Sequence, residues 1–126
     1  MYLLDTNVLI NAIKAKEPDK SFLKKIISEN LLCISVVSVG EFLSQASEEA
    51  EKKFNQLISA ATILMIDLET AKVAAVYRKK FLKTRRVQLL DYFLAAQAKL
   101  NNLTLVTHNK ADFPMKDIRT ITPPQY

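Results

Sequence analysis

Four acidic residues, Asp5, Glu41, Asp91 and Asp112, stand where this sequence could do chemistry. Each has apolar neighbours: Asp5 follows Tyr2-Leu3-Leu4, Glu41 precedes Phe42, Asp91 lies between Leu90 and Tyr92, and Asp112 precedes Phe113. Four carboxylates brought within a few ångströms repel one another and cannot all stay ionised near neutral pH without a counter-charge. A divalent cation is the simplest one. Only oxygen donors are on offer, with neither a cysteine cluster nor a histidine pair, so the expected ion is hard, magnesium or manganese rather than zinc. Magnesium keeps several waters and takes phosphate oxygens as further ligands. The chemistry indicated is therefore that of a phosphodiester.

Each acid also has a local explanation. Asp5 can cap the helix that follows it. Ser38-Val39-Gly40-Glu41 matches a capping box in which the glutamate bonds back to the serine. Asp91 falls in a first helical turn, where a negative charge favours the helix dipole, and Asp112 lies in the turn-forming stretch THNKADF. Capping does not require that four separate elements deliver an acid to one edge.

That edge follows from the elements. Tyr2 to Leu4 reads as a strand, followed by a helix after Asp5-Thr6-Asn7. Pro18 and Asp19 open a second helix, with Phe22, Leu23, Ile26 and Ile27 on its buried side, ending near Asn30. Leu31 to Ser35 reads as a strand buried on both faces, with a helix opening at Ser38. Glu48 to Ser59 is an amphipathic helix and Thr62 to Ile66 a third strand. Leu68 to Leu82 is a helix with Leu68, Ala71, Ala74, Ala75 and Leu82 on its buried side. Leu89 to Asn101 is helical, and Leu103 to Val106 and Arg119 to Ile121 are strands. Alternating strands and helices predict a three-layer α/β/α sandwich around a mostly parallel sheet of four to five strands. In such a sheet the ligand site lies beyond the carboxyl ends of the strands, which is where the four acids fall.

Composition narrows the class. A chain of 126 residues with 49% hydrophobic and 25% charged residues has globular proportions, and one domain over residues 1–126 is expected. The single glycine excludes a P-loop or a dinucleotide fingerprint. Cys33 is the only cysteine, has no partner for a disulfide, and sits in an apolar run as core filler. The start, MYLLDTNVLI, resembles neither a signal peptide nor a membrane anchor, and the Leu31–Leu43 run falls short of the roughly 18 residues a span needs. A cytoplasmic protein is expected. The net charge of +5 favours a polyanionic partner.

The segments YLLDTNVLI, SVVSVGEF and LLDYFLAAQAKLNNLTLVTHNKADF, in this order and covering nearly the whole chain, resemble the PIN domain, and within it the VapC-type toxins of bacterial and archaeal toxin–antitoxin pairs. The resemblance implies that Asp5, Glu41, Asp91 and Asp112 form an acidic metal-binding cluster. Thr6 and Asn7 would support Asp5, and Thr107 and Asn109 would be polar helpers. It implies a ribonuclease with Asp5 and Asp91 on the principal magnesium, and Glu41 and Asp112 holding its water or a second ion. It also implies a partner antitoxin and a homodimer. The sequence departs from its relatives at Asn101-Asn102, where many have glycine, and at Asn109, where some have aspartate. Asparagine tolerates the left-handed conformation of a helix C-terminus, whereas a neutral Asn109 removes one potential ligand charge.

Six basic residues lie in RKKFLKTRR from Arg78 to Arg86. Of these Lys79, Lys80, Lys83, Arg85 and Arg86, together with His108, are candidates for contacting RNA phosphates. The run can equally be a solvated helix end whose cations complement the dipole, and His108 a solvated loop histidine. Tyr77, Tyr92 and Phe93 fit a core better than a base-stacking surface, and the helices around Phe42 to Ile58 offer a groove for an antitoxin helix. A phosphatase-type aspartate nucleophile is disfavoured because Asn7 stands where its D-x-D pattern needs a second acid. Two further functions are compatible with the same residues: a processing nuclease without an antitoxin, and a PIN scaffold that binds RNA or protein without cutting.

Overall fold

The computed structural model describes residues 1–81 and 88–125. In chain order the elements are β1 (Tyr2–Leu4), α1 (Thr6–Ile13), α2 (Asp19–Ser28), β2 (Leu32–Ser35), α3 (Val36–Leu43), α4 (Glu48–Ser59), β3 (Thr62–Leu64), α5 (Leu68–Phe81), α6 (Leu89–Leu100), β4 (Thr104–Val106) and β5 (Arg119–Ile121), with a 3-10 turn at Lys110–Asp112 before the last strand. The five strands form one sheet in the order β3-β2-β1-β4-β5, and every neighbouring pair is parallel.

Period-two alternation sends successive strand residues to opposite faces, and each face has its own core. Leu3, Cys33 and Leu105 pack with Ala74, Tyr77, Tyr92 and Leu94 under α5 and α6. Leu4, Ile34 and Val106 pack with Val8, Leu9, Phe22, Ile26 and Phe54 under α1 to α4. The result is the expected α/β/α sandwich, with Cys33 buried in it.

The chain winds outward from β1 through β2 to β3, then returns to the other side of β1 to build β4 and β5. This reversal makes β1 and β4 the switch point of the sheet, where two crossovers diverge and leave a crevice at the strands' carboxyl ends. Asp5 immediately follows β1, and Thr107 immediately follows β4.

Several local expectations change. Helix α3 begins at Val36, not Ser38: Ser35 is its cap, accepting a hydrogen bond from the Val37 N–H at 3.1 Å. The strand thus passes into the helix without a loop, because the β-branched pair Val36-Val37 suits either state and Ser35 supplies the cap. Ser38 is buried inside the helix. β3 ends at Leu64, two residues early. On α5 the buried residues are Thr70, Ala74 and Tyr77, whereas Leu68 is 71% exposed and Ala75 is also exposed. Apolar residues surround this helix, so packing against α6 selected the buried face. Leu82, expected on that side, lies outside the described residues. Asn30 and Asn102 take positive φ, 57° and 52°, just beyond the ends of α2 and α6, the role glycine usually fills.

Candidate active site

Asp5 has two tasks. As the N-cap of α1 its Oδ1 accepts from the Thr6 N–H at 2.7 Å. Its Oδ2 accepts from the Thr107 hydroxyl at 2.9 Å, a contact that the β1–β4 pairing allows. Asp5 is 9% exposed and Thr107 is fully buried. Burial pushes the Asp5 carboxyl above its usual range; the hydrogen bonds from Thr107 and Thr6 oppose this, and the charges of Glu41 and Asp112 add to it.

Glu41 does not close a capping box. Its Oε1 accepts from the Thr6 hydroxyl at 2.8 Å, so one threonine bridges Asp5 and Glu41 through its amide and its side chain. The cap of α3 lies three residues earlier than the box requires, which turns Glu41 toward the rim of the sheet.

Asp91 sits in the first turn of α6, its N–H donating to the Gln88 carbonyl at 3.0 Å. Burial raises its carboxyl to about 6, helped by the charges of Asp5, Asp112 and Glu41. Asp112 lies in the 3-10 turn, its N–H bonded to the Asn109 carbonyl at 2.9 Å, while the Asn109 N–H donates to the Thr107 hydroxyl at 3.0 Å. Asp91 therefore lies within electrostatic reach of the other three acids, and Asp5 within reach of Glu41 and Asp112 as well. Among the described residues no three Asp, Glu, His or Cys side chains converge closely enough to enclose an ion unaided. An open set of oxygen donors fits an ion that retains water and shares its sphere with substrate phosphate. It does not fit a closed structural zinc site.

Other expected site residues distribute unevenly. Thr6, Thr107 and Asn109 touch the acidic residues or the loop that carries them. Asn7 is exposed and makes no hydrogen bond to Asp5 among the described residues. His108 is an exposed loop side chain, as expected, but it is not without a partner: its Nε2 lies 2.7 Å from Oδ2 of Asp19. Asp19 was legible only as a helix start; its burial in contact with a histidine 89 residues away left no local signal. Lys79 and Lys80 are exposed in the last turn of α5. There Lys79 and Arg78 border an open groove of about 650 Å³ toward α6, and Lys80 Nζ lies 5.4 Å from the Phe81 ring centre. Lys83, Arg85 and Arg86 lie outside the described residues. Tyr77 and Tyr92 are buried, as core residues.

The Thr107 contact makes a testable claim. Thr107→Val keeps the shape but leaves Asp5 Oδ2 without its donor and the Asn109 N–H without its acceptor, which is expected to cost at least about 1–3 kcal/mol. Urea unfolding at neutral pH measures it, and an unchanged midpoint would show that the Thr107 hydroxyl contributes nothing.

A PIN-domain family model matches residues 2–118, and the chain belongs to that family. Within it, the sequence is similar to proteins of the VapC type. Ribonuclease VapC2 of Rickettsia felis is 30% identical over 123 residues, covering 90% of both chains. Ribonuclease VapC10 of Mycobacterium tuberculosis is 27% identical over 116 residues, covering 91% of this chain and 87% of the relative. Among solved structures, DNA-bound VapBC from Salmonella typhimurium superposes with a TM-score of 0.81 at 25% identity, covering 98% of both chains. No helix among the described residues is long and apolar enough to cross a membrane.

Proposed function

We propose that this protein is a magnesium-dependent ribonuclease that hydrolyses RNA phosphodiester bonds at Asp5, Glu41, Asp91 and Asp112, and that it is the toxin of a toxin–antitoxin pair. The observation that carries the reading is the convergence of Asp5, Glu41 and Asp112 on Asp91 at the switch point of the sheet, with Asp91 raised to about 6. Such a site gains from a cation what it loses to self-repulsion. The likeness to two VapC ribonucleases supplies the substrate class.

In this reading Asp5 and Asp91 hold the ion, and Glu41 and Asp112 border the water and phosphate positions beside it. The bound ion would activate water for attack and stabilise charge on the leaving oxygen. The chain's own residues contribute orientation: Thr6 and Thr107 fix both oxygens of Asp5, and Thr6 also fixes Glu41. Manganese would serve in place of magnesium, since the donors are the same hard oxygens.

Lys79 and Lys80 place positive charge at the end of α5, where RNA phosphates can be drawn toward the site. Neutralising both is expected to lower the slope of log affinity against log salt for a single-stranded RNA by roughly 0.7 per lost phosphate contact. An unchanged slope would leave these lysines as partners of the helix dipole only.

For the antitoxin, the proposed seat is the groove between α1, α3 and α4. It measures about 230 Å³ and is lined by Ile10, Ile13, Phe42, Ala46 and Ala50, with Lys14 at its edge. An amphipathic helix would fill it with apolar anchors. A homodimer fits the exposed apolar residues Leu68 and Val76 on α5. The deciding experiment is sequencing of RNA ends after induced expression of the wild type and of Asp5→Asn: new ends confined to the wild type support a nuclease. Identical profiles would leave a PIN scaffold that binds without cutting.

A further inference from the structure

Asp19 is 1% exposed, and neither the acidic cluster nor the core accounts for it. An acid in the first turn of a helix suits the dipole without being buried. Burying a carboxylate is costly unless partners compensate. Two side chains share its Oδ2: Asn11 Nδ2 at 3.0 Å and His108 Nε2 at 2.7 Å.

The positions of these partners are informative. Asn11 belongs to α1, the helix that Asp5 caps. His108 follows Thr107, which donates to Asp5 Oδ2 at 2.9 Å. The contacts close a ring: from Asp5 along α1 to Asn11, across to Asp19, to His108, and through Thr107 back to Asp5. The segment braced in this way lies beyond β4, where, among the described residues, the sheet supplies only the Thr107 N–H bond to the Ile121 carbonyl at 2.9 Å. Through Asn109 that segment also leads to Asp112, whose N–H bonds the Asn109 carbonyl.

We propose that Asp19 is a positioning residue for the nuclease site, acting through His108 to fix the Thr107–Asp112 segment and hence the spacing of Asp5 and Asp112. The proposal gives His108 a role other than contact with phosphate: its ring is a strut between α2 and the segment after β4. Partners behind a metal site's ligands commonly set its affinity, and losing one costs about 10–100-fold. The metal arm of the proposal rests on the ribonuclease reading above; the brace itself does not.

The test uses the full chain as wild type, Asp19→Ala, Asp19→Asn, His108→Ala and the double variant Asp19→Ala/His108→Ala. Calorimetry measures Mn²⁺ affinity, RNA cleavage is titrated with Mn²⁺, and hydrogen exchange is read on the peptide spanning 107–113. Asp19→Ala and His108→Ala are each expected to weaken Mn²⁺ binding and raise the half-saturating Mn²⁺ concentration by about 10–100-fold, and to speed exchange of that peptide. The double variant should be no worse than Asp19→Ala, because the Asp19–His108 contact is lost in all three variants and the Asn11 contact is already lost in Asp19→Ala. Asp19→Asn retains an acceptor oxygen and should restore most of the affinity and protection.

Additive effects would overturn the proposal. So would variants that melt earlier yet keep wild-type Mn²⁺ affinity and wild-type exchange at 107–113, since Asp19 would then serve stability alone. If Asp19→Ala fails to fold, His108→Ala, which alters a side chain 37% exposed, decides alone. If the wild type neither binds Mn²⁺ nor cuts RNA, the ribonuclease reading fails. Exchange at 107–113 then decides the brace: faster in His108→Ala supports it, and unchanged refutes it.

Discussion

Asp5→Asn, and separately Asp91→Asn, is expected to lower RNA cleavage by more than about 100-fold, because in the proposed mechanism each is a direct metal ligand, whose loss should exceed the 10–100-fold typical of outer partners. Stability should move the other way or not at all. Both carboxyls are held above their usual range by burial and by like charges, so their ionised forms are a burden on the metal-free fold. Asparagine at position 5 still presents an oxygen to the Thr6 N–H. Metal-free melting temperatures at neutral pH should therefore equal or exceed the wild type's. A variant with near-normal cleavage would remove that residue from the site. One that loses cleavage only because it unfolds would leave the assignment without support.

The second large effect is a pH dependence that reverses sign with metal. The Asp91 carboxyl is raised to about 6 in the folded protein, against about 3.9 for an unfolded aspartate. Between these values the folded state holds a proton that the unfolded chain does not. The stabilisation from that proton is fully present below the unfolded value and is lost as pH rises through about 6. Metal-free protein should accordingly gain stability from this group on acidification from pH 7.5 to 5. Metal binding requires the deprotonated form, so Mn²⁺ affinity should fall below pH 6, approaching 10-fold per pH unit if one proton is displaced. Calorimetry at pH 5, 6 and 7.5, with melting in the presence of a chelator, measures both halves. Affinity that does not change across this range would show that Asp91 does not bind the ion. Asp91→Asn should remove this group's share of the low-pH gain in stability and leave the part due to Asp5, whose carboxyl is also raised.

These two expectations depend on residues that were legible to different degrees. Asp5 and Asp91 could be placed from the sequence, since a short apolar run and a helical repeat locate a strand end and a first turn without reference to the rest of the chain. Glu41 could not be oriented in the same way. Its offset from Ser38 matches a capping box, yet Ser35 caps the helix and the carboxylate reaches Thr6, 35 residues away. On α5 the apolar residues did not define one face, and Leu68 turned outward. His108 gave no sign of its partner, because Asp19 had a sufficient local explanation as a helix start.

The sequence by itself determined the elements, the class of sheet and the rim on which the four acids stand. Hydrophobic period, capping and turn chemistry act over a few residues and are written where they act. The tertiary structure alone decided which side chains meet. The order β3-β2-β1-β4-β5 sets β1 beside β4 and brings Thr107 to Asp5 across 102 residues. The same packing of α1 and α2 against the sheet delivers Asp19 to His108 across 89 residues. Contacts of that range depend on strand order and helix packing, which no local pattern encodes, and they give the edge of acidic residues its defined geometry.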